Sequence, residues 1–240
     1  MRRMPHLAVI LPAAGASARF AAEKDKLLEP LGGLPVIVHS LNAFLQRRDV
    51  VEVVIPTRRP DLLADQIPRD ERVKMAPGGA SRAESVRSGL SRIPESIEWV
   101  AVHDAARPLV SQQLVDATLA VALDRGAAVP ALPVGLTIKE AHGPLPARVE
   151  RTVPRQSLWA MQTPQIMRRS DLIEAFDRCP LALPLVTDDV QLLELIGKEV
   201  WLVPGDERNV KITTPLDLRV AELLLEDSQR DAPASTVTQC

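Results

Sequence analysis

The stretch HLAVILPAAG, residues 6–15, decides the fold of this chain. Its first half, His6 to Leu11, is a short apolar run of the kind that forms a strand buried on both faces of a sheet. Its second half changes to small residues, and Gly15 permits backbone conformations with positive φ. A buried strand that leads into a loop of small residues predicts the first unit of an α/β fold.

Helical and extended patterns alternate after this stretch. The helical patterns have an apolar stripe, one of them begins with the capping-box pair Ser81 and Glu84, and another ends before Gly126. Helices are predicted over Val36–Arg48, Ser81–Ile93 and Ser111–Asp124, and strands over Val50–Ile55, Arg72–Met75, Glu98–Val102 and Ala127–Leu132. We therefore expect an α/β fold with a Rossmann-like, mostly parallel sheet and helices on both faces.

The alternation of helical and extended patterns ends after Val134. Two extended segments, Gly135–Lys139 and Arg148–Val153, flank a Gly-Pro-Leu-Pro loop, which predicts a β-hairpin arm over about residues 135–153. Further elements are expected as helices near Ser170 and Thr187, a strand over Glu199–Val203, and a last helix from Thr214 to about Glu226. These patterns assign residues 1–226 to one domain and predict a disordered tail over the polar residues 227–240.

The composition narrows the class of protein. The chain has 240 residues, of which 46% are hydrophobic, enough for a large core. Its 29 basic and 31 acidic residues give a net charge of −2, and aromatic residues make up 2%, which argues against nucleic-acid binding. No apolar run approaches a membrane span, and two cysteines indicate no disulfide framework, so we expect a cytoplasmic protein.

The first candidate site is the loop Pro12–Phe20. In an open parallel sheet, ligands bind beyond the carboxyl ends of the strands, and the free N–H groups of such a loop can hold phosphate oxygens. Arg19 and Lys26 add positive charge. The loop matches neither the phosphate-binding nor the dinucleotide glycine pattern, and by spacing alone it is equally consistent with an ordinary turn.

Two further loops follow predicted strands. In Pro77–Ser85, two glycines precede a helix N-terminus that can attract an anion, although alone this pattern is better explained as a capped turn. In His103–Pro108, Asp104 stands where a carboxylate could hold Mg²⁺ near phosphates, and Arg107 could bind a phosphate. We favour a functional role for Asp104 and a structural one for His103.

The motifs as a set resemble one family. PAAG with a following arginine, GG-x-x-R-x-x-S, HDAARP, PV-x-x-T-x-K, QTPQ and N-V-K-I-T-x-P-x-D-L occur in this order over about residues 7–226. This series is similar to the 2-C-methyl-D-erythritol 4-phosphate cytidylyltransferases of the non-mevalonate isoprenoid pathway. The resemblance implies transfer of CMP from CTP to 2-C-methyl-D-erythritol 4-phosphate, with Mg²⁺ as the cofactor and with release of pyrophosphate.

The resemblance also implies roles for individual residues. The catalytic basic residues would be Arg19, Lys26 and Lys211. The nucleotide would contact Ala13, Ala14, Gly15, Gly79, Ala80, Arg82, Ser85 and Asp104, with Asp104 as the metal ligand. The sugar phosphate would contact Arg107, Thr137, Arg155 and Thr163. The arm would form a homodimer and complete the site of the partner subunit.

The chain departs from this family beside Lys26, where Asp25 is expected to weaken the field of the lysine. Two alternatives to the implied function stay open. One is a cytidylyltransferase for ribitol 5-phosphate or another polyol phosphate, which the same loops would serve. The other is a non-catalytic nucleotide-binding regulator, with Asp25 and Ala80 as signs of decay.

Overall fold

A computed structural model describes residues 5–15, 20 and 25–231 of the chain. The strands are β1 Leu7–Ile10, β2 Pro30–Leu31, β3 Leu34–Pro35, β4 Val50–Thr57, β5 Val73–Pro77, β6 Trp99–Val102, β7 Ala127–Pro133, β8 Ile138–Ala141, β9 Val149–Val153, β10 Trp159–Met161, β11 Gln165–Arg168 and β12 Trp201–Pro204. The helices are α1 Val36–Leu45, α2 Pro60–Ala64, α3 Arg82–Leu90, α4 Gln112–Arg125, α5 Arg169–Arg178, α6 Asp189–Leu195 and α7 Pro215–Asp231, with a 3₁₀ turn at Leu183–Leu185.

The main sheet has the strand order β10-β7-β11-β6-β1-β4-β5, and β12 pairs with β7. The β1–β4, β1–β6, β4–β5 and β7–β12 pairs are parallel, which confirms the expected mostly parallel sheet. The sequence patterns missed β10 and β11. Strand β11 runs antiparallel between β6 and β7, so that the QTPQ segment lies at the centre of the sheet.

Apolar side chains cover both faces of the sheet, as expected for an α/β fold. Leu7 and Val9 of β1 belong to one apolar cluster, whereas Ala8 and Ile10 belong to the other, because successive side chains of a strand point to opposite faces. The first cluster packs against α1, α4 and α7, and the second packs against α3, α5 and α6. The sheet is thereby packed between two layers of helices.

Two of the predicted helix ends are confirmed. The Oγ of Ser81 accepts a hydrogen bond from the N–H of Glu84, and the Glu84 carboxylate accepts one from the N–H of Ser81, which completes a capping box at α3. Helix α4 ends at Gly126, whose φ of 99° favours glycine.

The arm is an antiparallel hairpin of β8 and β9, which agrees with the predicted hairpin. Helix α7 continues to Asp231, past the boundary expected at residue 226, and residues 232–240 of the predicted tail lie outside the described residues. Over the part of the chain that the structure describes, no helix combines the length and the apolar character needed to cross a membrane.

Candidate active site

The loops after β1, β5 and β6 meet at the carboxyl edge of the sheet and enclose a cleft of about 330 Å³. This cleft is lined by most of the residues that the family resemblance assigns to the nucleotide, and by two of the three catalytic candidates. These residues are Ala14, Gly15, Lys26, Gly79, Ala80, Arg82, Ser85, Asp104 and Lys211. Ala13 is buried beside the cleft, where its N–H donates to the carbonyl of Pro56. Arg19 lies outside the described residues.

The first and second loops pack directly against each other. A Cβ added at Gly78 would stand 2.3 Å from the Cβ of Ala14, so this approach requires glycine. The Oγ of Ser85 accepts from the N–H of Gly79 and donates to the carbonyl of Ser81, and Arg58 donates to the carbonyl of Gly79. Ser85 thus uses its hydroxyl to hold the loop in place.

Asp104 is the point where the charges of the cleft converge. Its Oδ2 lies 2.7 Å from the Nζ of Lys211, and its Oδ1 accepts a hydrogen bond of 3.0 Å from the Nε of Arg82. The Nε of Arg107 lies farther away, at 3.7 Å from Oδ2. Burial by itself would raise the pKa of Asp104, but Arg82 and Lys211 outweigh it and hold that pKa well below the ordinary range. The carboxylate is therefore ionised at neutral pH.

Buried hydrogen bonds fix the backbone of Asp104. Its N–H donates to the Oγ1 of Thr163, which lies 3.0 Å from the Nδ1 of His103. The His103 Nε2 lies 3.1 Å from the carbonyl of Arg107. Burial lowers the pKa of His103 to about 4, so the ring is neutral at pH 7. The network is complete when Thr163 donates to Nδ1 and the ring donates from Nε2, which agrees with the structural role expected for His103.

Long-range contacts bring Lys211 to this loop. The N–H of Ile212 donates to the carbonyl of Ala106, and the Oγ of Ser40 donates to the carbonyl of Ala105. Because Ile212 is fully buried, the preceding Lys211 is fixed at the rim with its ammonium group over Asp104. The first and last parts of the chain thereby enclose the same carboxylate.

A second cleft, of about 290 Å³, adjoins the first and shares Arg82, Asp104 and Lys211 with it. Arg107 and Thr163, two of the residues assigned to the sugar phosphate, line this second cleft. Arg107 also donates to the carbonyls of Asn209 and Met161, at 2.7 and 3.4 Å, so its guanidinium holds two neighbouring loops. The two clefts meet at Asp104, as a reaction between two bound substrates requires.

Thr137 and Arg155 are not among the residues that line either cleft. Both are exposed at the base of the arm, where Arg155 donates to the carbonyl of Gly135. The fold therefore separates these two residues from Arg107 and Thr163 within one chain.

The carboxylate of Asp25, beside Lys26 in the sequence, forms an ion pair and a hydrogen bond of its own. Its carboxylate pairs with Arg59 and accepts the N–H of Leu27, and its side chain is 8% exposed. The negative charge beside Lys26 is thus paired with a neighbouring arginine. The weakened field expected at Lys26 stays a prediction.

Two functional candidates escaped the sequence reading. Arg58 lines the first cleft and lies just after β4 in the chain. The rule that ligands bind at strand ends could have indicated it. Asp189 lies 2.7 Å from the Nη1 of Arg82 and is fully buried. In the sequence, Asp189 is an acid at the start of a helix, where negative charge is favourable, and no local pattern indicates its ion pair with Arg82.

The side chains fit the predicted Mg²⁺ ion. Asp104 is the one carboxylate among the described residues that line the first cleft, and it is ionised. Mg²⁺ in nucleotide sites takes one or two carboxylates and completes its shell with phosphate oxygens and water. Asp104 could supply the protein ligand, and Lys26, Arg58, Arg82 and Lys211 give the lining of the same cleft four basic side chains.

A cleft of this charge at the carboxyl edge of a Rossmann-like sheet defines a nucleotidyltransferase. The family model described as 2-C-methyl-D-erythritol 4-phosphate cytidylyltransferase matches residues 7–227. The chain belongs to this family and is a cytidylyltransferase.

Individual relatives agree with this assignment. The chain is 42% identical over 225 residues to the 2-C-methyl-D-erythritol 4-phosphate cytidylyltransferase of Bacillus velezensis, with 91% of this chain and 95% of that protein covered. The crystal structure of the enzyme of that name from Thermus thermophilus superposes with a TM-score of 0.75 at 35% identity and covers 92% of this chain and 99% of that one. A bifunctional enzyme IspD/IspF of Desulfotalea psychrophila is 37% identical over 94% of this chain, which spans 58% of that relative's length.

Proposed function

We propose that this chain transfers the cytidylyl group of CTP to 2-C-methyl-D-erythritol 4-phosphate, releasing pyrophosphate, and that the transfer takes place where the two clefts meet at Asp104. The family membership supports this reaction, which belongs to isoprenoid precursor biosynthesis. The observation that carries the assignment of the site is the convergence of Arg82 and Lys211 on the ionised Asp104.

In this mechanism the triphosphate lies in the first cleft and the sugar phosphate in the second. A phosphate oxygen of the sugar phosphate attacks the α-phosphorus, the bond from that phosphorus to the bridging oxygen breaks, and pyrophosphate leaves. A phosphate monoester has a second pKa of about 6, so the nucleophile is mostly a dianion at pH 7 and needs no general base. This agrees with a site whose buried histidine, His103, already uses both ring nitrogens.

The work of the protein is then to neutralise charge and to align two anions. Lys26 and Lys211, which both line the first cleft, would bind the triphosphate, and Arg19 would add charge at the first loop. Asp104 would hold Mg²⁺, which when bound shields the phosphates and stabilises the charge that develops on the leaving group. The role of Mg²⁺ is part of the proposal.

The assay that tests this function measures pyrophosphate release from CTP, ATP, GTP and UTP, each with 2-C-methyl-D-erythritol 4-phosphate or ribitol 5-phosphate. We expect the highest kcat/KM for CTP with 2-C-methyl-D-erythritol 4-phosphate. An equal or higher kcat/KM with ribitol 5-phosphate would assign the acceptor to the alternative class. No release with any pair would favour the non-catalytic regulator.

The active unit that we propose is a homodimer formed through the arm. Leu136, Leu145 and Val149 on the arm are 79, 89 and 53% exposed, and Trp159 and Met161 on the edge strand β10 are also exposed. Burying such apolar residues against a second copy is favourable. In a dimer, Thr137 and Arg155 of one subunit would complete the second cleft of the other. The cytoplasmic location stays a prediction.

A mixing experiment tests the shared site. Lys211→Ala and Arg155→Ala homodimers should both be inactive. When they are unfolded and refolded together, mixed dimers would contain one undamaged site, and about a quarter of the wild-type activity should return. Activity that stays at the level of the separate variants would contradict a site shared between subunits. Light scattering on the same samples reports whether dimers formed.

A further inference from the structure

We propose that Asp189 is a positioning residue, which fixes the guanidinium of Arg82 between the two clefts and, through Arg82, orients the carboxylate of Asp104. This inference rests on the proposed function, since it concerns how the same site is held ready for CTP. Asp189 itself lines neither cleft among the described residues.

Asp189 is the first residue of α6 and its side chain is fully buried. Its Oδ2 lies 2.7 Å from the Nη1 of Arg82, close enough for an ion pair, although the angles of this contact fall outside those of a hydrogen bond. Neither carboxylate oxygen has a hydrogen-bond partner among the described residues. A buried carboxylate destabilises a fold unless a counter-charge offsets its burial, and Arg82 is the cation that faces Asp189, although burial still raises the pKa of Asp189 above its ordinary value.

Arg82 contacts one carboxylate at each end of its guanidinium group. Its Nε donates to the Oδ1 of Asp104 at 3.0 Å, while its Nη1 faces Asp189. Burial would lower the pKa of Arg82, but the two carboxylates outweigh it and raise that pKa above its usual value. The arginine thus stays charged and is held at two points. Without Asp189, the guanidinium of Arg82 would be held only by Asp104, which is the carboxylate proposed to bind Mg²⁺.

The position of Asp189 is in turn fixed by the central strand β11. The Oε1 of Gln165 accepts from the N–H groups of Asp189 and Val190, at 2.9 and 3.1 Å, and its Nε2 donates to the Oδ2 of Asp188. Gln165 is 1% exposed and belongs to the QTPQ segment. A continuous series of contacts therefore runs from β11 through Asp189 and Arg82 to Asp104.

Preorganisation of this kind acts on binding. An arginine that is already in place loses little conformational freedom when the nucleotide arrives, whereas a loose one must be ordered at that moment. Groups that orient a ligand of a metal site without touching the metal are worth about 10- to 100-fold in affinity or activity. We therefore expect Asp189→Asn to raise KM for CTP about 10-fold or more, with a change in kcat of less than about threefold.

A merely structural role predicts a different pattern. Loss of folded protein would lower the apparent kcat and leave KM for CTP unchanged. Glu194→Gln, an exposed acid on the same helix, is the matched control and should leave both constants unchanged. Asp189→Glu keeps the charge and should restore part of the lost affinity, which a purely steric effect at the start of α6 would not.

A double-mutant cycle with Arg82 gives the sharpest test. If Asp189 acts through Arg82, then Asp189→Asn should have no further effect on KM for CTP in an Arg82→Gln background. A further rise in KM in that background would overturn the proposal. If Asp189→Asn or Arg82→Gln alone does not fold, Asp189→Glu carries the test, because it keeps a negative charge opposite Arg82 but displaces the carboxylate. KM for CTP should then rise with kcat little changed, and a lowered kcat with an unchanged KM would overturn the proposal.

An activity assay of the wild-type protein distinguishes a failure of this inference from a failure of the proposed function. If it transfers no cytidylyl group, the proposed function fails, and the same cycle is then read by calorimetric titration of CTP with Mg²⁺. A 10-fold loss of CTP affinity in Asp189→Asn, absent in the Arg82→Gln background, supports the positioning role in either case. Unchanged affinity in Asp189→Asn contradicts it.

Discussion

The Nζ of Lys211 lies 2.7 Å from the Oδ2 of Asp104, although the two residues come from opposite halves of the chain. Each group depends on the other: the lysine lowers the pKa of the buried carboxylate, and the carboxylate holds the ammonium group at the boundary of the two clefts. In the proposed mechanism, bound CTP would offer Lys211 a phosphate oxygen in place of Asp104, and Asp104 would then be available to hold Mg²⁺. The pair is thus a resting state of the site that we propose.

Replacing Lys211 by methionine should therefore lower kcat/KM about 100-fold or more, since a fixed donor that stabilises transition-state charge is worth about 100- to 1000-fold. Steady-state kinetics with both substrates would measure this. Lys198→Met is the matched control, because Lys198 forms its ion pairs with Asp171 and Glu174 on the surface, outside both clefts. Equal losses in the two variants would contradict a specific role for Lys211.

The first loop offers an independent test. Lys26→Ala and Arg19→Ala should each reduce turnover about 100-fold, because both side chains are proposed to neutralise the triphosphate. Arg92→Ala is a suitable control, since Arg92 is exposed and lies outside both clefts. Near-normal turnover in both loop variants would show that the phosphates bind elsewhere.

Thr163, which the family resemblance assigns to the sugar phosphate, also has a structural role in the fold. Its hydroxyl oxygen accepts from the N–H of Asp104 and lies 3.0 Å from the Nδ1 of His103. Thr163→Val keeps the shape but leaves a buried donor unpaired, so the free energy of unfolding should fall by about 1–3 kcal/mol. Thr163→Ser retains the hydroxyl and should preserve stability and most activity. Urea unfolding of both variants checks this, and a stable Thr163→Val protein would argue against the network.

His103 should make stability depend on pH. Its pKa is about 4 in the folded protein and about 6.5 in an unfolded chain. Between these values the unfolded state binds more protons, so stability rises with pH across this window and is fully present above pH 6.5. Urea unfolding of the metal-free protein between pH 5 and 6.5 should show this slope. A His103→Gln variant with the same slope would rule out His103 as its origin.

Local patterns in the sequence predicted the parts of the fold that depend on neighbours in the chain. The apolar run of β1, the capping box of α3 and the glycine end of α4 are each set within a few residues. The rule that ligands bind at strand ends then selected the loops that contain Asp104 and Gly79. Spacing alone left these loops ambiguous, and the family's motif series decided between the interpretations.

The rest depends on contacts between distant parts of the chain. Strand β11 is four residues long and follows a proline, so nothing local indicates that it enters the centre of the sheet. The approach of Lys211 depends on the hydrogen bond from Ile212 to Ala106, and that of Asp189 on its contact with Arg82. Such pairings are properties of the folded chain, and no short stretch of sequence encodes them.

A crystal structure of the protein with CTP and Mg²⁺ would test the central claim most directly. We expect the triphosphate in the cleft between Lys26 and Lys211, with Mg²⁺ held jointly by a carboxylate oxygen of Asp104 and by phosphate oxygens. A nucleotide bound away from this cleft, or a metal ion without Asp104 among its ligands, would contradict the account.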